Sequence, residues 1–540
     1  LTAQGFWIIL EPEIVTVVSL TCYGGVNEIG GNKVLLEDGE VRLFFDFGLP
    51  FAHRSRYYEE YLNPRASWGL LDLLEVGLLP PLNGIYRQDL TLPDLWDRFS
   101  SSPHYRELHI DGVLLSHAHL DHSGYISFLD RDIPVYTTAM TSVMAKAIQD
   151  SAKGDFEKEV CYAIPKEDKK GARAAIRYNK AAAQQRPFRV LDCGAWSGEL
   201  GHFWEDTPGR RSLEACPLET AVSIGPLPLR CFPVDHSIPG ATALAVATGR
   251  GWVVYTGDLR LHGGRGQQTE AFIHQAAQLR PVILICEGTS VDDETCPVTE
   301  DGVYSNALKA IREAKGLVIA DFGPRNVERL LTFRRIAQEI GRYLVVTAKD
   351  AYLLRAMHYL DPEVPDMGGD PVIRVYQELK ADHDHWEQDI LARFRDKLVK
   401  AEEVGRCQDD HILCFSFFDI NELPSIRPQE GSLYLYSSSE PHNEEQRLDF
   451  YRLHQWLEHF RMRGIGLPRE ELGWKVPQAE QGLHASGHAT GPELLKLIKE
   501  INPEILIPIH TENPGYFATN LEGTGIRVHL PRYGEQITLP

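Results

Sequence analysis

Short apolar runs that stop on a carboxylate or a histidine recur along this chain. "VRLFFDFG" (41–48) ends on Asp46 and Gly48, and "DGVLLS" (111–116) runs straight into three histidines. "WVVYTGD" (252–258) and "PVILICEGT" (281–289) end on Asp258 and Glu287, and "EILIPIHTENP" (504–514) ends on His510. Runs this short, bounded by Gly and polar residues, predict buried strands. "SGYISFL" after the histidines predicts a helix with Ser123 as its N-cap. Between 313 and 357 the pattern alternates strand, helix, strand, helix, and "IRPQEGSLYLYSSSEP" and "RLDFYRLHQWLEHF" continue it, which predicts a parallel α/β unit. No internal repeat and no low-complexity segment interrupts the pattern.

Composition narrows the class. A chain of 540 residues suggests two to four domains, and 43% hydrophobic with 24% charged residues is the mix of a soluble globular protein. No apolar run approaches the length of a membrane span, and the opening "LTAQGFWIILEPEIVTVVSL" lacks a Met, a basic n-region and a small-residue cleavage site. The nine cysteines are scattered, with no C-x-x-C pair, which argues against a disulfide framework or thiolate zinc site and for a reducing cytoplasm. The net charge of −21 weighs against a nucleic-acid binder, although net charge reports on long-range fields rather than on one groove. One stretch, 165–186, holds seven Lys/Arg against two acids; its plain reading is a solvated, Ala-rich helix.

The polar residues at the strand ends carry the chemistry, because strand ends hold loops rigidly. His117-x-His119-x-Asp121-His122 has the spacing of a tight loop folded around two cations, the first two imidazoles on one and the following aspartate and histidine on the other. Zinc accepts imidazole and carboxylate together, and manganese takes the same set. Most other histidines, such as His104, His109, His274 and His454, read as surface residues.

"HAHLDH" resembles the signature of the metallo-β-lactamase fold, and "PVDHSIPGATALAVATGRGWVVYTGD" (233–258) is similar to the segment that follows it there. The resemblance implies that His236 completes the first metal site, that Asp258 bridges both, and that Asp46 orients the metal loop. "GGVNEIGGN" (24–32), "HSIPGA", "TGDLRLHG", "CEGTS", "HASGHA" (484–489) and "PIHTEN" (508–513) narrow it to the β-CASP nucleases, most closely ribonuclease J, from about residue 20 to the end. In those terms Glu287, His488 and His510 stand at the three β-CASP motifs, His510 as a further metal ligand. The implied fold is a four-layer αββα sandwich (1–300 and 486–540) with an inserted α/β lobe (301–485). The implied activity is hydrolysis of RNA phosphodiesters, 5′→3′ from a monophosphate end with possible endonuclease action, by a hydroxide between two Zn2+ (or Mn2+). RNA is then the partner, with no membrane and a possible homodimer in the cytoplasm.

The catalytic set implied is Asp121, Glu287 and His488, with Glu287 fixing the tautomer of His488 as proton donor to the leaving oxygen. His484, Ser486, Gly487 and His488 would bind phosphate, His484 being equally readable as a structural histidine. The chain departs from the family in long segments at about 51–109 and 150–215. It also runs only about 30 residues beyond His510, without a counterpart of the C-terminal domain by which bacterial ribonuclease J oligomerises. Alternatives are a DNA nuclease or small-molecule hydrolase on the same fold, or a non-catalytic RNA-binding subunit. The last would have lost ligands; the DNA branch usually lacks a histidine at the position of His510; a small-molecule hydrolase does not need the lobe.

Overall fold

The computed structural model describes residues 17–539, apart from 169–175, 179, 193–196, 295–296, 324 and 442–443. Two sheets stack face to face. The first has eight strands in the order Glu219–Thr220, Phe188–Val190, Val135–Thr137, Gly112–Leu114, Val41–Phe45, Lys33–Asp38, Val18–Gly24 and Gln536–Thr538. The second has seven: Ser223–Ile224, Leu227–Pro233, Thr242–Thr248, Gly251–Tyr255, Ile283–Cys286, Ile505–Pro508 and Arg527–Val528.

Alternation along each strand builds the layers. Val18, Leu20, Cys22, Leu43 and Phe45 meet Leu244, Val253, Tyr255, Ile283, Ile285 and Ile507 in one apolar sheet-to-sheet layer. The intervening residues face outward. Leu35, Phe44 and Val113 share a core with helix Ala139–Asp150, and Val254, Leu284 and Leu506 with helices Gly266–Leu279 and Gly491–Ile501. The result is an αββα sandwich.

A third sheet is wholly parallel: Leu398–Val399, Ile373–Tyr376, Tyr343–Val346, His411–Leu413, Val318–Asp321, Leu433–Tyr436 and Arg463–Ile465, in that order. Helices Val327–Ile340, Ala348–His358 and His385–Arg393 pack on one face. Ala401–Arg406 and Glu444–His459 pack on the other. All seven strands lie in the chain between Ile283–Cys286 and Ile505–Pro508, which are themselves parallel neighbours in the second sheet. That adjacency brings Glu287 and His510, each just past the end of its strand, to the same edge of the sandwich.

The two long segments are only partly outgrowths. In the first, Leu70, Leu73, Leu79 and Ile85 bury themselves against the outer face of the first sheet. In the second, Phe188–Val190 is a strand of that sheet. Three sequence expectations fail locally, in whole or in part. The basic stretch is not a helix: Lys166–Asp168 and Ile176–Tyr178 pair as an antiparallel hairpin, with its tip outside the described residues. Tertiary bonds outweigh alanine's helix propensity, since Asp89 accepts the Lys166 N–H at 2.8 Å and Glu159 pairs with its ammonium at 3.2 Å. Ser123 closes the short helix Leu120–Ser123 and stands at the N-cap position of the 3-10 turn Gly124–Phe128 that follows, but its hydroxyl makes no capping bond and donates instead to the His119 carbonyl. His104 and His454 are half-buried rather than on the surface; His454 bonds the Pro468 carbonyl. Seven cysteines are free; Cys193 and Cys296 lie outside the described residues.

Candidate active site

Strand Gly112–Leu114 delivers Ser116 and His117 to the top of the sandwich, and the loop that follows turns back on itself there. Asp46 fixes that loop. Its buried carboxylate accepts the Ser116 N–H (2.7 Å), the Ser116 hydroxyl (2.8 Å), His122 Nδ1–H (2.6 Å) and the Tyr255 hydroxyl (2.6 Å). Asp46 does so with φ at +53°, and His510 sits at +54°, strained values for non-glycine residues that the surrounding bonds hold in place. Gly48 lies so close to the loop that a Cβ there would stand 1.6 Å from the Asp121 carbonyl oxygen, so only glycine fits.

Three imidazoles converge on one point. His117 Nε2 lies 3.1 Å from His119 Nδ1, and His236 Nε2 lies 3.2 Å from the same atom. Asp121, His122, Asp258 and His510 form a second cluster: His122 Nε2 is 3.0 Å from Asp258 Oδ2, and His510 Nε2 is 3.2 Å from Asp121 Oδ2. Asp258 Oδ2 stands between the clusters, 3.7 Å from His117 Nε2, 3.9 Å from His236 Nε2 and 3.8 Å from His510 Nε2.

The donor chemistry fits two cations. Four of the five histidines have their outward nitrogen engaged: His236 Nδ1–H donates to the Gly487 carbonyl (2.5 Å), His122 to Asp46, His510 to the Thr289 hydroxyl (2.7 Å) and His117 to the Ser116 hydroxyl (3.0 Å). These partners leave lone pairs facing inward, the arrangement that outer partners of metal ligands enforce. Asp258 Oδ1 is buried without a hydrogen-bond partner. Burial holds His117 and His236 well below the ordinary imidazole range and brings His119 to about 4, so all three are neutral ligands at pH 7. For His122 burial is outweighed by Asp258, Asp121 and Asp46, which push it well up. A proton there occupies the place where a metal's charge would do the same work.

Opposite this centre stands a second constellation. His488 Nδ1–H donates to Glu287 Oε2 at 2.9 Å, and Glu287 Oε1 accepts the Leu259 N–H at 2.8 Å. Burial lowers His488, but Glu287, with Asp258 and Asp121 behind it, more than compensates, and His488 is pushed up to about 9. His236, Asp258 and His488 also place ligand atoms within 4.8 Å of one another. The loop 484–488 packs directly on a metal-ligand candidate, since a Cβ on Gly487 would meet His236 at 3.0 Å. Ser486 Oγ accepts the His488 N–H (3.1 Å), which leaves its own proton free to donate. His484 is neutral, lowered to about 3 by burial, and its buried Nδ1 has no partner.

The sequence did not reveal Ser116, Tyr255, Thr289 or Arg260. Thr289 and Ser116 were visible only as neighbours of motif residues. Arg260 is fully buried and reaches Asp235 Oδ1 (3.1 Å), Glu300 Oε1 (3.3 Å), Glu328 Oε2 (2.5 Å) and the Ser486 carbonyl (3.0 Å). It ties the strand end carrying Asp258 to the lobe and to the loop of His488.

Residues 476–531 match the family model of the Zn-dependent metallo-hydrolase RNA specificity domain. The chain is 24% identical to the ribonuclease J of Mycolicibacterium smegmatis over 507 residues, covering 91% of this chain and 68% of that protein. It is 23% identical to the Sinorhizobium meliloti ribonuclease J over 495 residues, with the same coverage. Among solved structures, a protein of unknown function from Enterococcus faecalis V583 superposes with a TM-score of 0.65 at 23% identity, covering 97% of this chain and all of that one.

Proposed function

We propose that this chain, a metal-dependent ribonuclease of the ribonuclease J type on the β-CASP metallo-β-lactamase fold, degrades RNA from a 5′-monophosphate end using two zinc ions, with manganese as the alternative pair. One observation carries the reading: Asp258 Oδ2 lies within 3.9 Å of imidazole nitrogens from both ligand clusters, with the His488–Glu287 pair facing the same point. His117, His119 and His236 would hold one ion, Asp121, His122 and His510 the other, and Asp258 would bridge. When bound, the pair supplies Lewis acidity and a water acidic enough to attack phosphorus near neutral pH.

The chain's own residues do the rest. Asp46, Ser116 and Thr289 keep the ligand tautomers. His488, held by Glu287, gives its proton to the leaving 3′ oxygen. Ser486 and the backbone at Gly487 would cradle the 5′ phosphate, with His484 behind them. The domain limits that go with this reading are 1–300 and 486–540 for the sandwich and 301–485 for the lobe, supported by the sheet to which each strand belongs.

The test uses end-labelled RNA carrying 5′-OH or 5′-monophosphate, and a circular RNA of the same sequence. A charge-assisted hydrogen bond to phosphate contributes about 1.5–3 kcal/mol. Ser486→Ala should therefore lower kcat/KM roughly ten- to a hundredfold on monophosphorylated RNA and far less on 5′-OH RNA. Equal slowing of both, or a circle cut as fast as the monophosphorylated strand, refutes the exonuclease reading and favours endonuclease action.

A further inference from the structure

The parallel sheet of the lobe stops at strand Arg463–Ile465, which pairs with Leu433–Tyr436 on one side and with no other strand among the described residues. An edge of this kind offers a row of backbone N–H and C=O groups for pairing with another chain. Beside it lies a groove of about 490 Å³ between the strand, helix Glu444–His459 and the turn Glu470–Leu472. Its floor is apolar, made by the buried side chains of Leu457, Met462 and Leu467. Gly464, in the middle of the edge strand, lines it as well.

Two aromatic side chains wall the groove. Tyr451 stands on the helix, 52% exposed, and Trp474 lines the opposite side, beyond the turn. Trp474 is held there at φ +63°, a strained value for so bulky a residue, and its N–H bonds the Arg469 carbonyl at 2.8 Å. Leu448, three residues before Tyr451 on the helix, and Leu472, on the turn, are 49% and 47% exposed. Large apolar side chains grouped at a surface and ringed by polar ones mark a place where another chain sits.

The charge around the groove is one-sided. The exposed carboxylates of Glu458, Glu470 and Glu471 line it and have no hydrogen-bond or ion-pair partner among the described residues. The two lining groups able to carry positive charge are engaged. Arg469 pairs with Glu480 Oε1 at 2.5 Å, and His454 Nε2–H donates to the Pro468 carbonyl at 3.0 Å. Arg452, Arg461 and Lys475 are paired with Asp449, Glu430 and Glu440. Arg463 precedes Gly464 in the strand but is outside the lining. Three free carboxylates around two aromatic rings repel a phosphate backbone and attract a cation, which the ring faces also favour.

We propose that this groove docks another protein through an extended segment bearing lysine or arginine at every second position. The segment adds as a further strand to Arg463–Ile465, its backbone bonding the free edge, as extended peptides do on exposed sheet edges. Side chains of a strand alternate in direction, so every second one enters the groove. There the aliphatic stem of a lysine or arginine lies on the apolar floor while its charge reaches the rings and the acidic rim. None of these residues belongs to the candidate active site, so the proposal stands apart from the ribonuclease reading.

The probe is a short fluorescent peptide of alternating lysine and valine, read by anisotropy against the full chain. A peptide of alternating glutamate and valine and a labelled oligouridylate are its counterparts. The basic peptide should bind, more weakly as salt rises, and the acidic one should not. Trp474→Ala, and separately Glu470→Lys combined with Glu471→Lys, should each weaken it at least about tenfold, as loss of an aromatic anchor or reversal of rim charge does. Trp474→Phe, which keeps an aromatic wall, should retain most of the affinity. The charge variant is altered only at exposed positions, so it decides the matter if Trp474→Ala fails to fold in a urea titration. The basic peptide N-methylated throughout cannot donate to the edge and should also bind at least about tenfold more weakly. No binding of the basic peptide, equal binding of the acidic one, a charge variant that binds like wild type, or an N-methylated peptide that binds as well would each overturn the proposal. So would oligouridylate binding that these substitutions remove, which would make the groove a nucleic-acid surface, or self-association that they abolish, which would seat a second copy there.

Discussion

Replacing Glu287 by Gln exchanges one oxygen for an amide and changes little in shape, yet it should reset the proton on His488. In the wild-type chain Glu287 Oε2 accepts His488 Nδ1–H at 2.9 Å, while Oε1 is held by the Leu259 N–H at 2.8 Å. In Glu287→Gln the remaining oxygen stays with Leu259, so the amide N–H2 faces Nδ1 and forces it to accept. The negative charge that raises His488 to about 9 is lost as well. A fall from about 9 to the ordinary value near 6.5 is about 3 kcal/mol in the protonated form. The sign follows. A raised imidazole stays charged below its folded pKa and loses its proton as pH rises through it, so a proton donor of this kind works on the acid side and fails on the alkaline side. At pH 8 about nine-tenths of wild-type His488 is protonated against about 3% at the ordinary value, whereas at pH 6 both are mostly protonated. The ratio of wild-type to variant kcat/KM should thus climb by more than tenfold from pH 6 to pH 8. Bound dications displace both titrations downward together, which slides the window without removing the climb. The cleanest assay is NMR titration of His488 in metal-free protein beside pH–rate profiles of the loaded enzymes. A constant rate ratio across pH, or His488 titrating near 6.5 in the wild-type apoprotein, refutes the assignment of His488 as Glu287-held acid.

Asp258→Asn should lower metal content at both positions, read by elemental analysis after dialysis, because its Oδ2 faces both clusters; full occupancy of either would count against the bridging role. Asp321 is buried with Tyr434 as its partner and is pushed up to about 7 by burial, so the folded state keeps a proton that the unfolded chain releases near pH 4. Stability therefore falls as pH rises between those values, and Asp321→Asn should be favoured over wild type at pH 8 by up to about 4 kcal/mol and by much less at pH 5, measured as the difference in urea midpoints. Chelation should abolish RNA binding as well as cleavage, seen as loss of fluorescence anisotropy of a labelled oligonucleotide; tight binding by the metal-free protein would place the affinity elsewhere on its surface.

The metal loop was legible because its four ligand candidates are contiguous and follow directly on one strand, and Asp46, Asp258 and His510 were legible because each ends an apolar run. What was not legible depends on crossings between elements. Tyr255 reads as one more core residue of strand Gly251–Tyr255 until the two sheets stack and its hydroxyl reaches Asp46, 209 positions away. Thr289 gains a role only when Ile283–Cys286 and Ile505–Pro508 become parallel neighbours and bring His510 beside it. Arg260 has no role of its own within "TGDLRLHG" and is fully buried among three acids from other parts of the chain. The hairpin at 166–178 defeated local reasoning for the same cause, because Asp89 and Glu159 hold Lys166 from outside the segment.

These placements also bear on how so acidic a chain handles a polyanion. A net charge of −21 opposes approach at long range, but at physiological salt that field is screened beyond about 8 Å. Inside the cleft the balance is local. The buried guanidiniums of Arg260 and Arg329 are neutralised by Asp235, Glu300 and Glu328, so they fix geometry without attracting phosphate. Asp46 and Glu287 are likewise committed to His122 and His488. What this leaves is the charge that cations held by the ligand clusters would bring. Attraction for RNA would therefore be concentrated within a few ångströms of the bond to be cut and supplied largely by the bound metal. An acidic exterior around a centre made cationic by bound metal would favour a strand already threaded to that centre over one lying along the surface.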